Sequence, residues 1–436
     1  MIGKDESAVY RALGKKIDNL TVRTPWNETF HSILKELYTT EEADVVVKMP
    51  YALSSLERIS RVTGVGKTRL QGILESLGGK GLVMDLFNER DGQYYFMPSP
   101  MVIGLFEFTM MKTADDDHKR ECAKLFEKYF ATLYGANFSD NEQFSVLRVI
   151  PVEETVGPGD SIEFMDYEKA SSIIDGTHRF AIGLCSCRNE KLHNGEKECD
   201  APLDNCSAFG VGADYLIRHN LGREVSKSEM RDNFARSKEL GLVFCADNTK
   251  RNPMVICHCC KCCCNYLAGA NKFGFANSTV TSNFICSIRE SLCTGCGKCV
   301  DICPVNATSL ISANDPKKTK KKKAKVDLPI CVGCGVCALK CPSDAIEMIY
   351  RGARVIHPET TFERIILLSL ERGTLQNQIF DNPLSATGKF MRSFVGAFLS
   401  LSPVKRALIS NMFRSAFLSS ARGVARLQGK GWMLDI

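Results

Sequence analysis

The chain has 436 residues, of which 44% are hydrophobic, carries a net charge of +6 and contains 21 cysteines. That length suits about two to four domains and excludes a short disulfide-stapled secreted scaffold. So many thiols in a long chain point instead to metal ligation in a reducing compartment.

The opening stretch, "MIGKDESAVYRALGKK", has early charges and no apolar run of signal-peptide length. Reduced thiols in the cytoplasm of an anaerobe are therefore expected. No stretch approaches about 18 uncharged apolar residues, so no membrane-spanning helix is expected. The excess positive charge is local. It lies in "KKTKKKKAK" at 317–325 and between Asn382 and Leu434, where eight Lys or Arg occur without one Asp or Glu. Nothing global suggests nucleic-acid binding.

Residues 1–29 read as an N-terminal arm and 30–112 as a small helix-rich unit. "TTEEADVVVKM" carries a threonine cap with acids in its first turn. "SSLERISRVTGVGKTRLQGILESLGGKGLV" reads as helix, turn, helix, and "MDLFNERDGQYYFMP" as a hairpin around Asp91-Gly92. Three helices and a hairpin are winged-helix-like, a shape that binds DNA or docks proteins. "GVGKT" at 64–68 is not a phosphate loop, because Arg61 stands where the first glycine belongs. It reads as the turn between two helices.

Residues 113–280 mix helix and strand and form a Cys-rich α+β domain. "DDDHKRECAKLFEKYFATLYG" predicts an amphipathic helix ending at Gly135, and "VLRVIPVEETV" a buried strand. "FAIGLCSC" predicts a strand ending in two cysteines. "SKSEMRDNFARSKELGLV" opens with a capping box, Ser226 to Glu229, and stops at Gly241.

Ten candidate metal ligands lie in this domain. Cys185, Cys187, Cys199 and Cys206 form one group, and "CHCCKCCC" supplies Cys257, Cys259, Cys260, Cys262, Cys263 and Cys264. Six thiols in eight positions cannot all face one way. The run therefore reads as a two-sided strip that closes the first group's site and a second one. One or two further iron–sulfur clusters, one larger cluster, or a cluster beside zinc are the candidates, since soft thiolates favour iron–sulfur and zinc. Disulfides are disfavoured, because adjacent cysteines rarely have suitable geometry. Arg188 can donate to a cluster sulfide or serve as a structural ion-pair partner. His193 and His258 read as solvated rather than ligating. Cys122, Cys245 and Cys286 read as isolated core thiols, the last two as reserve ligands.

Residues 281–350 hold the most specific signal. "CTGCGKCVDICP" places Cys293, Cys296, Cys299 and Cys303 before Pro304, and "CVGCGVCALKCP" places Cys331, Cys334, Cys337 and Cys341 before Pro342. Each is C-x2-C-x2-C-x3-C-P, the run of two-cluster bacterial ferredoxins. Three cysteines wrap one cubane, and the fourth, at the start of the next helix, serves the other. Cys293, Cys296, Cys299 and Cys341 are thus expected on one 4Fe–4S cluster, and Cys331, Cys334, Cys337 and Cys303 on the second. A zinc ribbon does not explain the third cysteine, the proline or the duplication. "VNATSLI" and "SDAIEMI" read as strands that follow. The lysine-rich insert at 315–326 reads as a solvated loop or as a docking surface for an acidic redox partner.

Residues 351–436 read as a basic helical tail. Phe390, Phe394 and Phe398 recur at four-residue steps, Pro403 interrupts, and a second helix is expected from Val404 to about Leu427. Basic residues, phenylalanines and Trp432 suit an anionic membrane surface; packing on the protein itself or on a partner subunit is the other reading.

Taken together, the "CSCR" segment, the "CHCCKCCC" run and the double ferredoxin motif resemble a family of 4Fe–4S ferredoxin-type proteins of anaerobic prokaryotes. The resemblance covers roughly residues 30–350 and implies electron transfer to or from a partner oxidoreductase. The lysine insert and the basic tail depart from it. The fold class expected is multidomain α+β. The expected function is multi-cluster electron transfer between a donor and a partner. A reductase with a substrate-accessible cluster, a redox-sensing DNA-binding regulator and a cluster-delivery protein are the alternatives. No serine–histidine pair, nicotinamide or flavin fingerprint, or phosphate loop indicates bond-making chemistry.

Overall fold

The computed structural model describes residues 6–112, 116–138, 144–157, 164–273, 280–314, 321–352, 354–410 and 412–435. The chain divides into two compact units. The first comprises Met1–Phe144, Tyr215–Leu221 and Thr360–Ile436, and the second Ser145–Asp214 and Gly222–Glu359.

In the first unit, the helix Glu6–Asp18 buries Val9, Tyr10, Leu13 and Ile17. Thr39 caps the helix Thr40–Lys48 through a full capping box with Glu42. Strand β1 (Ser54–Ser55), helices Leu56–Thr63 and Lys67–Lys80, and strands β2 (Val83–Asn88) and β3 (Gln93–Pro98) follow. The sheet order is β1-β3-β2. The glycine-rich stretch at 64–68 is the expected turn: Gly64 closes one helix at φ +74° and Lys67 opens the next. The helix Asp117–Phe138 runs past Gly135. An interior glycine costs a helix only about 1 kcal/mol, too little to stop one held by Phe126, Tyr129 and Phe130 in the core.

The segment read as a tail begins as core. Helix Thr361–Glu371 buries Phe362, Ile366, Leu367, Leu368 and Leu370. Asp381 pairs with Arg58 at 2.5 Å and with Lys430 at 2.8 Å. Helices Ala386–Ser400, Ser402–Ile409 and Arg414–Leu427 follow. Pro403 sits in the first turn of the middle one, where its missing N–H costs nothing. The single helix expected from Val404 to Leu427 is instead two, because Ser410 turns extended and its hydroxyl caps the carbonyl of Ala407. Trp432 is packed on Tyr95, ring centroids 4.6 Å apart. No helix among the described residues is long and apolar enough to cross a membrane.

The second unit is built on a six-stranded sheet. Its strands are β4 (Leu147–Ile150), β5 (Phe180–Leu184), β6 (Asp204–Phe209), β7 (Gly222–Val225), β8 (Val243–Asp247) and β9 (Val255–Cys259). Their order is β4-β8-β9-β6-β5-β7, each neighbouring pair antiparallel. Side chains alternate between faces. One face presents Ile150, Phe180, Ile182, Phe209, Phe244 and Ile256 to helices Ala170–Asp175 and Lys227–Glu239, forming an apolar core with Met230 and Phe234. Full burial of each such side chain contributes about 1.5–3 kcal/mol. The other face carries sulfur. Cys245 lies directly opposite Cys257, and Cys259 follows two residues on.

The remaining strands are β10 (Phe284–Ile288), β11 (Thr308–Ser312), β12 (Lys322–Val326) and β13 (Ile346–Tyr350). They form two antiparallel ribbons, β10 with β13 and β11 with β12. Residues 317–320 of the lysine run lie outside the described residues. Of the rest, Lys322–Val326 form β12 rather than a loop.

Candidate metal centres

The two ferredoxin motifs fold as short loops, each running into a short helix, Lys298–Ile302 and Val336–Leu339. The third cysteine of each motif lies on that helix. The fourth follows the helix rather than starting the next one, because the proline behind it cannot continue a helix. Gly295 and Gly333 have φ near +70°, and a Cβ there would strike Lys322 O at 2.2 Å and Phe284 O at 2.1 Å. Only glycine lets those loops pass.

Two cavities result. Cys293, Cys296, Cys299 and Cys341 line one. Cys303, Cys331, Cys334 and Cys337 line the other. Each thus takes three cysteines from one motif and one from the other. Backbone amides already aim at the sulfurs: Ala307 N–H donates to Cys303 Sγ at 3.1 Å and Ala324 N–H to Cys293 Sγ at 3.4 Å. Such bonds favour thiolate and set cluster potentials. Ala324 belongs to β12, so the lysine-bearing strand forms a wall of the first cavity. Cys296 is exposed, whereas Cys334 is buried and its thiol is pushed well up by burial.

Cys286 is not isolated. It lines the second cavity, with its sulfur 3.7 Å from Cys337 Sγ. There its S–H can bond a ligand sulfur.

The Cys-rich strip divides as its crowding requires. Cys260, Cys262 and Cys263 turn toward Cys199, and their four sulfurs all lie within 4.8 Å of one another, so that the group could hold a metal ion. Three of the separations are 3.4, 3.8 and 3.9 Å. A tetrahedral ion with metal–sulfur bonds of about 2.3 Å places its sulfurs about 3.8 Å apart. This spacing suits one ion. It is too tight for a cubane, whose inorganic core holds its thiolates further apart, and the eight ferredoxin cysteines form no such compact group. Ala201 and Leu242 pack over the tetrad. Cys260 is held down to about 5, first by its hydrogen bond with Cys263 and then, against burial, by Arg188.

Cys185 ends no strand. β5 stops at Leu184, Cys185 caps the helix Ser186–His193, and Cys187 lies within it. That helix carries Arg188 into the interior, fully buried. Its guanidinium donates to Pro202 O at 2.9 Å and also to Asn205 Oδ1 and His258 O. Burial opposes its charge, yet Cys185, Cys260 and Cys259 hold it above the ordinary arginine range. A buried cation needs a buried anion, and Cys260, the one of the three held down, is placed to supply it.

His258 is neither solvated nor a ligand. Alternation puts it on the apolar face, hydrogen-bonded to Ser207 at 2.8 Å and Ser237 at 2.7 Å. Burial lowers it to about 3, so it is neutral. Cys122 is a buried thiol, pushed up to about 12 by burial.

Residues 292–345 match the family described as the 4Fe-4S dicluster domain. The chain is therefore a ferredoxin-type iron–sulfur protein in that segment, with two 4Fe–4S clusters implied. No curated protein and no solved structure matches the chain.

Proposed function

We propose that the protein is a multi-cluster electron carrier that passes electrons between a donor and a partner oxidoreductase. The observation that carries this reading is the contact between the Cys-rich strip and the dicluster domain. Lys261, between Cys260 and Cys262, donates to Asp301 O at 3.2 Å, on the helix that holds Cys299. Asn271 donates to Pro304 O at 2.5 Å, beside Cys303. The bound clusters would supply one-electron chemistry; the polypeptide supplies the sulfurs, the amide donors and the exclusion of water.

The exposed Cys296 marks the first cavity as the docking end. Lys321, Lys322 and Lys325 are exposed on the adjoining segment, and they suit an acidic redox protein. Stopped-flow electron exchange with an acidic flavodoxin tests this. The rate is expected to fall with salt and to drop about tenfold in a K322E/K325E variant at low salt. A rate indifferent to both would refute docking there.

Residues 30–112 are read as winged-helix-like, but their charges favour protein docking over DNA. On the helix Lys67–Lys80, Lys67 pairs with Glu57, Arg69 with Glu41 and Lys80 with Glu42.

The C-terminal helices are proposed to rest on an anionic membrane surface. Phe390, Phe394 and Phe398 are 68%, 66% and 55% exposed along one helix. Lys389 on the same helix and Arg406 on the next are exposed, and no acid occurs between Asn382 and Leu434. Each basic residue near such a surface contributes about 1 kcal/mol. The full chain is expected to sediment with phosphatidylglycerol vesicles, less with phosphatidylcholine, and with neither after F390S/F394S/F398S. Equal recovery of variant and parent would remove the proposal.

A further inference from the structure

The tetrad uses four of the Cys-rich thiols and leaves a second set unexplained. We infer that the sulfur-bearing face of the six-stranded sheet is a separate polynuclear iron–sulfur site, held by Cys206, Cys245, Cys257 and Cys259 from the sheet and by Cys187 and Cys264 from outside it. The inference rests on the reading of the chain as an iron–sulfur carrier and deepens it.

Register builds the site. Cys245 of β8 faces Cys257 of β9. The β6/β9 pairing sets Ser207 against Ile256, so the next step brings Cys206 beside Cys257. Alternation adds Cys259. Three neighbouring strands thus project four thiols from one face, while Phe244, Ile256 and Phe209 fill the other. A packing role would be met by valine or leucine, as it is on that opposite face.

The remaining two thiols close over the sheet. Cys187 and Cys264 are electrostatic neighbours, as are Cys264 and Cys259, Cys259 and each of Cys245 and Cys257, and Cys257 and Cys206. The six therefore form one continuous set. Amide donors converge on its outer end: Leu267 N–H reaches Cys264 Sγ at 3.5 Å, and the amide of Asn265 bonds Cys187. The buried Arg188 adds positive charge beside Cys259.

Spacing excludes a single ion. Among the described residues the tetrad is the group whose sulfurs gather for one ion, and these six form no such group. The ferredoxin cysteines form none either. Six thiols strung out over three strands and two flanking segments suit a core with several irons and bridging sulfides, where each thiolate binds a different metal atom.

The test uses the full chain purified without oxygen, with iron, acid-labile sulfide and zinc counted per chain. The parent is expected to hold more than the roughly eight irons of the dicluster domain. A C303A/C341A variant, stripped of dicluster clusters, is expected to retain about four irons with matching sulfide. C245A/C257A is expected to lose that portion and keep the dicluster iron, while C122A loses nothing. A parent with about eight irons and a C303A/C341A variant with no sulfide would overturn the sheet-face site and leave the dicluster reading intact. Iron that is unchanged in C303A/C341A would overturn the dicluster reading instead. Should C245A/C257A fail to fold, the first two proteins decide the question.

Discussion

Paired substitutions in the dicluster domain are expected to be non-additive in a way that only crossed ligation explains. C293A/C341A removes two ligands from one cavity, although its members lie in different motifs. It should cost about four irons. C331A/C341A lies within one motif but touches both cavities, and should cost about eight. Residues that serve one unit couple, whereas residues of separate units add. Uncrossed ligation would reverse the two results. Iron and sulfide analysis, with electron paramagnetic resonance of the reduced protein, separates them.

The second large effect is expected at the tetrad. Its four sulfurs sit close enough for one ion, and binding free energies of structural tetrathiolate ions are on the order of 10–16 kcal/mol. C260A/C263A should therefore release one zinc or iron without loss of sulfide. It should also lower the thermal midpoint of the second unit by many degrees, because Ala201 and Leu242 then cover an empty site. Replacing Arg188 by methionine should act in the same direction but less, since it removes the compensating charge and leaves all four ligands. Loss of sulfide together with the ion would mean that the tetrad ligates a cluster.

Local spacing made the dicluster domain readable before any fold was known. All eight cysteines and both prolines stand within two short runs, and each run fixes its own loop. That the six thiols of "CHCCKCCC" would not all share one ion was readable for the same reason, and only Cys260, Cys262 and Cys263 join the tetrad. What the chain did not disclose was which thiol meets which. Cys245 joins the strip only because β8 pairs with β9 in one register, and Cys286 reaches Cys337 across 51 residues. The pattern "VFCAD" beside "VICHC" held a faint signal, as both alternate sulfur with apolar residues. His258 was misplaced because a histidine among cysteines suggests ligation or exposure, whereas alternation alone sends it to the apolar face. The tail was misjudged at Ser410, whose side-chain cap ends the single helix expected there.

Electron carriage on dicluster sites of this geometry is tested most directly by an anaerobic potentiometric titration of the full chain, followed by electron paramagnetic resonance. Reversible uptake of about one electron per dicluster cluster is expected, with signals broadened by magnetic interaction between neighbours. A chain loaded with iron and sulfide that takes up no electrons across the accessible range, or one that holds zinc alone, would contradict it.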